Sequence, residues 1–369
     1  MKKYILNLIN YYKLKKHRLF NEFIFFNDTK IKALSEVLNY KKKEEAINII
    51  LDFYSKCDFL YENTKIPKEL EIGGTWKKYI QAIKKEQIDV LSKKNVNEIL
   101  IFHENMFYNC LIKGFMPYAY FESVQKDYGA ILNFLKDLEL YNVMFKNFDT
   151  LPVKNDIKKW GFKQKDNKIH FGSASSMFAK NLILESTKLI KKKENINILE
   201  IGSGYGALAE RLFDVSEINS LILTDLPSSL STAFYYLSSK YGLEKVKLIS
   251  YKEEIQKYLS LKDKKILLIP TSFYEEIKNF KNVDLLCNFA SFSEMDFTTI
   301  KFYLTNMPKD IKLIVSSNNN EETFRQNHHE VISDKFPIDK EFNQVFSSIR
   351  LPFFSNWRYK TCVWYKENN

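Results

Sequence analysis

A glycine-rich turn with an acidic residue just before it is the segment of this chain that most clearly predicts ligand chemistry. In ILEIGSGYGALAERL, Glu200 ends a short apolar run, Gly202, Gly204 and Gly206 follow, and Ala207 opens a helical pattern. Glycines at this density let the backbone turn sharply and let a ligand approach it closely. The free N–H groups at the start of the following helix would favour an anionic group of that ligand.

A second acidic residue, Asp225, ends the next apolar run, SLILTDL. A carboxylate at the tip of a second strand can accept hydrogen bonds from both hydroxyls of a ribose, with Leu226 beside it in the same site. The alternative is that Asp225 caps the helix that Pro227 begins. Taken with the glycine turn, the spacing favours a nucleoside ligand.

The glycines also satisfy the dinucleotide pattern GxGxxG/A, through Gly202, Gly204 and Ala207. An ionised Glu200 would repel a pyrophosphate, but it would attract the ammonium and sulfonium groups of S-adenosylmethionine (SAM). The sequence therefore favours SAM as the cofactor, and a nicotinamide cofactor stays as an alternative.

A third polar segment, NFASFSEM, places Asn288 at the carboxyl end of another apolar run, where ligands of open α/β sheets bind. Ser291 and Glu294 follow, and Glu294 could remove a proton from a substrate hydroxyl or hold it. The alternative is a capping box formed by these two residues. His329, in the polar tract SSNNNEETFRQNHHE, is a second candidate base, with an exposed surface histidine as the alternative. The spacing of His, Asp and Glu assigns no divalent metal site.

Strands alternate with helical patterns from residue 196 onward, which predicts an α/β fold with a mostly parallel sheet. Two late strands, with little helix between them, predict an antiparallel addition at one edge. Residues 1–160 read as a mostly helical N-terminal domain and residues 161–369 as the ligand-binding domain. The seven predicted strands are, in chain order, INILEIG, SLILTDL, ILLIP, VDLLCNF, KLIVSSN, FSSIRLPFF and YKTCVWYK.

The chain resembles the seven-stranded, Rossmann-like class I SAM-dependent methyltransferases, and more closely a bacterial family of sugar O-methyltransferases. The resemblance lies in EIGSGYGALAERL, TDLPSSLSTAFYYLS and NFASFSEM, and it covers about residues 160–369. It implies that Glu200, Gly202, Gly204 and Asp225 hold SAM, and that the acceptor is a hydroxyl of a carbohydrate or nucleotide-sugar. Ser203 follows Gly202 where these sugar enzymes often have another glycine.

The net charge of +11 lies entirely in residues 1–200, which hold 35 basic and 24 acidic side chains. This basic first half could attract nucleic acid. It lacks an Arg-rich strip and RRM- or KH-type signatures, so no nucleic-acid partner is expected. No apolar run is long enough to span a bilayer, and four scattered cysteines indicate free thiols in a reducing, cytoplasmic setting. A homo-oligomer, a nucleic-acid methyltransferase and a non-catalytic SAM-binding protein stay open.

Overall fold

The computed structural model describes most of the second half of the chain and part of the first. The described ranges are 24–27, 40–63, 89–106, 160–164, 167–169, 173–190, 194–260, 262–320, 332–349 and 359–367, with a few single positions in the first 143 residues.

Two sheets are present in these ranges. The small one has three antiparallel strands, β1 (Ile24–Asn27), β2 (Trp160–Gln164) and β3 (Asn167–Ile169). The main sheet has eight strands: β4 (Ile196–Ile201), β5 (Ile218–Asp225), β6 (Val246–Leu248), β7 (Lys265–Pro270), β8 (Leu285–Phe289), β9 (Leu313–Asn319), β10 (Asn343–Ile349) and β11 (Tyr359–Tyr365).

The main sheet is ordered β10-β11-β9-β8-β4-β5-β7-β6. The six strands from β9 to β6 run parallel, and β11 and β10 are added antiparallel at one edge. This confirms the predicted mostly parallel sheet with an antiparallel edge. The sheet has one strand more than the seven predicted, because the short strand β6, at the opposite edge, was not among the predicted segments.

Seven helices accompany the strands in the described ranges: α1 (Tyr40–Asn63), α2 (Val96–Glu104), α3 (Ser173–Thr187), α4 (Ala207–Phe213), α5 (Pro227–Tyr241), α6 (Tyr274–Ile277) and α7 (Phe297–Thr305). Because successive strand residues point to opposite faces, the sheet supports two hydrophobic clusters. One cluster includes residues of α3, α4 and α5, and the other includes residues of α6 and α7. Helices therefore cover both faces, as a doubly wound sheet requires.

Two described helices of the first half, α1 and α2, pack directly against the second half. Residues of α1 and α2 belong to the same hydrophobic cluster as α5, so one apolar core crosses between the halves. His103 on α2 is fully buried, and its ring lies 5.3 Å from that of Tyr235 on α5. Burial lowers the pKa of His103 to about 4, so this imidazole is neutral in the folded protein near pH 7.

The described residues include no helix with the length and apolar character that crossing a membrane demands. Cys287 and Cys362 are buried free thiols, which confirms that prediction for these two cysteines, whereas the side chains of Cys57 and Cys110 lie outside the described residues.

Candidate functional site

The glycine turn follows the buried strand β4 and bends through left-handed backbone. Gly202, Gly204 and Gly206 have φ angles of 73°, 59° and 87°, a region that side chains with a Cβ seldom occupy. A Cβ on Gly202 would lie only 2.0 Å from Ser291 Oγ, so the turn and the segment after β8 are in close contact. The first predicted feature of the site is thus present in the fold.

Asp225 lies at the carboxyl end of β5 and binds the glycine turn. The Gly204 N–H donates to its Oδ2 at 2.8 Å, and the Leu226 N–H donates to its Oδ1 at 2.6 Å. The N-cap of α5 is Leu226, with no capping bond from a side chain, so the alternative role of Asp225 as that cap does not hold. The structure brings Asp225, Leu226 and the turn together, as the sequence predicted.

Glu200 faces the same side of the sheet as Asp225. It pairs across the sheet with Leu223, two residues before Asp225, and alternate residues of a strand share a face. Burial and, as the smaller cause, the nearby Asp225 carboxylate together raise the pKa of the Glu200 carboxyl to about 8. The sequence reasoning took Glu200 as ionised; in the ligand-free protein at neutral pH it is mostly protonated, because an isolated charge is unfavourable at such depth.

Three buried polar atoms around this turn have no hydrogen-bond partner among the described residues: Glu200 Oε2, Ser203 Oγ and Thr224 Oγ1. An unpartnered buried polar group costs about 1–3 kcal/mol, so folded proteins rarely leave one without a reason. Glu200 Oε2 lies on the face of the sheet that Asp225 shares, and Ser203 Oγ belongs to the turn itself, so these two atoms indicate a place for polar groups of a ligand. Thr224 pairs with Ile201 and points to the other face.

Asn288 ties the ends of β4 and β8 together. Its Nδ2 donates to the Ile201 carbonyl at 2.8 Å and to Ser291 Oγ at 2.5 Å, and Ser291 Oγ donates to the same carbonyl at 3.2 Å. The capping box proposed as an alternative for Ser291 does not form, since its side chain makes no cap bond. Instead, Ala290 at a left-handed φ of 63° leads the chain toward the glycine turn.

Asn318, on β9, belongs to this network, and the sequence reasoning missed it. Its Nδ2 donates to Asn288 Oδ1 at 2.8 Å and to Ser316 Oγ at 2.7 Å, while its Oδ1 accepts from the Ser293 N–H at 3.2 Å. Its side chain is fully buried. The signal available was its position as the last residue of the fifth predicted strand, KLIVSSN.

The candidate bases are less closely tied to the turn. Glu294 ends the 3-10 helix Phe292–Glu294 and is partly exposed, with its backbone N–H bonded to the Ser291 carbonyl. His329 lies outside the described residues, so its role stays a prediction. The described part of the chain contains no group of three or more His, Cys, Asp or Glu side chains suited to a metal ion.

The first half reaches α5 close to this site. Gln87, which is buried, donates from Nε2 to the Ser228 carbonyl and to Ser231 Oγ, both at 3.4 Å. Ser228 lies three residues after Asp225 in the chain. A residue of the helical half therefore contacts the start of the helix that follows the second acid.

This arrangement suits a ligand that is cationic at one point and carries hydroxyls at another. Two carboxyl groups on one face, Glu200 and Asp225, lie beside a turn in which three of five residues are glycine. Opposite charges attract strongly in a buried setting, so a cationic ligand would shift Glu200 to its ionised form. The carboxyl edge at β4 and β8 is also where the strand order reverses, the usual ligand crevice of such sheets.

No protein-family model and no curated protein matches this chain. Among solved structures, TrmK of M. capricolum in complex with S-adenosyl-homocysteine is 16% identical at a TM-score of 0.34, over 52% of this chain and 69% of its own. Magnesium protoporphyrin IX methyltransferase (ChlM) of Synechocystis PCC 6803 with bound SAM is 8% identical at a TM-score of 0.34, over 53% and 81%. The scores are too low to transfer a function.

Proposed function

We propose that this protein is a SAM-dependent O-methyltransferase that acts on a hydroxyl of a carbohydrate or nucleotide-sugar. The observation that carries the proposal is the paired carboxyls of Glu200 and Asp225 on one face beside the left-handed glycine turn. A dinucleotide would place a pyrophosphate near these acids, whereas SAM would place cationic groups there.

The polar and acidic residues beside the glycine turn match the hydroxyl and cationic groups of SAM. Asp225 would hold the ribose hydroxyls, because it lies at the carboxyl end of β5 beside the glycine turn and a carboxylate is a strong hydrogen-bond acceptor. The unpartnered atoms of Glu200 and Ser203 would find polar partners on the bound cofactor. When bound, SAM supplies an electrophilic methyl group.

On the acceptor side, the protein's contribution would be alignment and a modest base. Asn288 and Ser291 bond the Ile201 carbonyl where β4 and β8 end, and the partly exposed Glu294 follows them. Glu294 would bind the acceptor hydroxyl and take its proton as the new C–O bond forms. The carbohydrate assignment is supported by the resemblance of the segments TDLPSSLSTAFYYLS and NFASFSEM to sugar O-methyltransferases.

The first experiment is calorimetric titration of the full chain with SAM, S-adenosyl-homocysteine and NADH. We expect heat with the first two and none with NADH. The variant Asp225→Asn should raise the Kd for SAM by about tenfold or more, because a nucleoside contact is lost. Asp263→Ala is the matched control, since that exposed carboxylate pairs with Lys265 just before β7. Binding of NADH without SAM would refute the proposal.

The second experiment measures transfer of a labelled methyl group from SAM to a panel of sugars, oligosaccharides and nucleotide-sugars. Glu294→Gln should lower kcat by about 100-fold with little change in the Kd for SAM, since a positioned base contributes on that scale. Transfer to RNA instead of carbohydrate would move the protein to the nucleic-acid methyltransferases. SAM binding without transfer to any acceptor would favour a non-catalytic protein.

A further inference from the structure

The tract that begins at Ser316, SSNNNEETFRQNHHE, contains the candidate base His329, and its first three residues, Ser316, Ser317 and Asn318, are buried. Asn318 contacts two segments of the candidate site. Besides its bonds to Asn288 and Ser293, its own carbonyl accepts the Ser333 hydroxyl at 3.1 Å. It therefore joins the end of β8, the 3-10 helix after it, and the chain that follows β9.

The direction of the Asn288 amide depends on what surrounds it. Its Oδ1 accepts from Asn318 Nδ2 at 2.8 Å and from the Phe292 N–H at 3.0 Å. With two donors on the oxygen side, the amide must present its Nδ2 to the other side, where the Ile201 carbonyl and Ser291 Oγ accept. Ser291 in turn lies against Gly202 of the glycine turn.

We propose that Asn318 is a positioning residue: through its bond to Asn288 it holds the segment 288–294 against the glycine turn, and so sets the affinity of the cofactor site. This rests on the proposed function, because the cofactor concerned is SAM. An acidic side chain at 318 would face Asn288 Oδ1 with another acceptor, which repels it and favours reversal of the amide. Reversal would direct Oδ1 at the Ile201 carbonyl and break the bridge between β4 and β8.

The test compares Asn318→Asp with Ser317→Ala in the full chain, by calorimetric titration with SAM and by thermal unfolding. Ser317 is the matched control because it is equally buried on the same strand, but its hydroxyl pairs with Thr361 at 2.9 Å on the other face of the sheet. Both variants should unfold at lower temperature. Only Asn318→Asp should raise the Kd for SAM, by about tenfold or more.

A double-mutant cycle separates positioning from a general loss of stability. Asn288→Ala should weaken SAM binding, and adding Asn318→Ala should weaken it no further, because the second residue acts through the first. If the increases in Kd caused by Asn288→Ala and Asn318→Ala multiply in the double variant, the proposal is overturned. Equal SAM affinities of Asn318→Asp and Ser317→Ala would also overturn it. If Asn318→Asp fails to fold, Asn318→Ser is compared with the control by the same criterion.

Calorimetric titration of the wild-type protein with SAM separates failure of the proposed function from failure of the inference about Asn318. No heat with SAM would overturn the proposed function and this inference together. Heat with the wild type, and unchanged affinity in the Asn318 variants, would overturn only the inference.

Discussion

Replacing Glu200 by Gln removes a buried group whose charge state should respond to pH and to the cofactor. The pKa of Glu200 is about 8 in the folded chain, against an ordinary value of 4.5. A carboxyl with a raised folded pKa contributes stability that is fully present below pH 4.5 and is lost as pH rises through 8. The whole difference corresponds to on the order of 5 kcal/mol, or about 1.4 kcal/mol for each pH unit.

The measurement is the free energy of unfolding in urea at several pH values between 5 and 8, for the wild type and for Glu200→Gln. Glutamine stays neutral and resembles the protonated acid, so the two proteins should be similar at the acid end. The wild type should then lose stability relative to the variant by about 1.4 kcal/mol per pH unit. Other titrating groups cancel in the difference, because both proteins carry them.

The same group should release a proton when a cationic cofactor binds. At pH 7 a carboxyl with a pKa near 8 is protonated in about nine molecules of ten, and a nearby positive charge lowers that pKa. Titration with SAM in buffers of different ionisation enthalpy should therefore show release approaching one proton, and none for Glu200→Gln. Parallel pH–stability profiles for the two proteins, together with SAM binding whose heat is independent of buffer, would refute the reasoning.

Three further changes should have distinct effects. Gly202→Ala should abolish SAM binding in calorimetry and lower stability, because its Cβ would meet Ser291 Oγ at 2.0 Å on a backbone with φ 73°; unchanged binding would contradict the turn's role. For His103, whose pKa falls from 6.5 unfolded to about 4 folded, stability is full above pH 6.5 and is lost as pH falls toward 4. His103→Gln should remove this loss of stability at acid pH, which amounts to on the order of 3 kcal/mol in the free energy of unfolding measured in urea. Lys240→Met should destabilise the fold by about 1–3 kcal/mol in the same assay, since it leaves the Glu210 side chain, only 2% exposed, without the ammonium 2.9 Å away; no change would show that the pair contributes nothing.

The part of the fold around the glycine turn could be predicted because its signals are local. An apolar run, three closely spaced glycines and an amphipathic stretch predict strand, turn and helix without reference to distant residues. The side-by-side placement of Glu200 and Asp225 follows from this order, since consecutive strands of such folds commonly pair and their carboxyl ends share an edge.

Features that depend on distant pairing could not be predicted in this way. Strand β1 pairs Phe25 with Phe162, and the short strand β6 has only three residues, too few for a periodic pattern. The charge state of Glu200 depends on burial by the surrounding fold. Asn318 ends the predicted strand KLIVSSN at the start of a run of asparagines, and only the register of β9 against β8 places it beside Asn288.

The two halves of the carboxyl edge differ in how their polar groups are satisfied, and this difference suggests which ligand each receives. On the β8 and β9 side, Asn288 and Asn318 make a network of bonds with each other and with neighbouring groups. On the β4 and β5 side, Glu200 Oε2 and Ser203 Oγ are buried and have no hydrogen-bond partner among the described residues. A satisfied network forms a rigid wall, whereas unpartnered groups gain most from a ligand. Under the proposed function, we therefore expect the cofactor on the β4 and β5 side and the acceptor against the bonded network of Asn288 and Asn318, where alignment of the two reactants matters most.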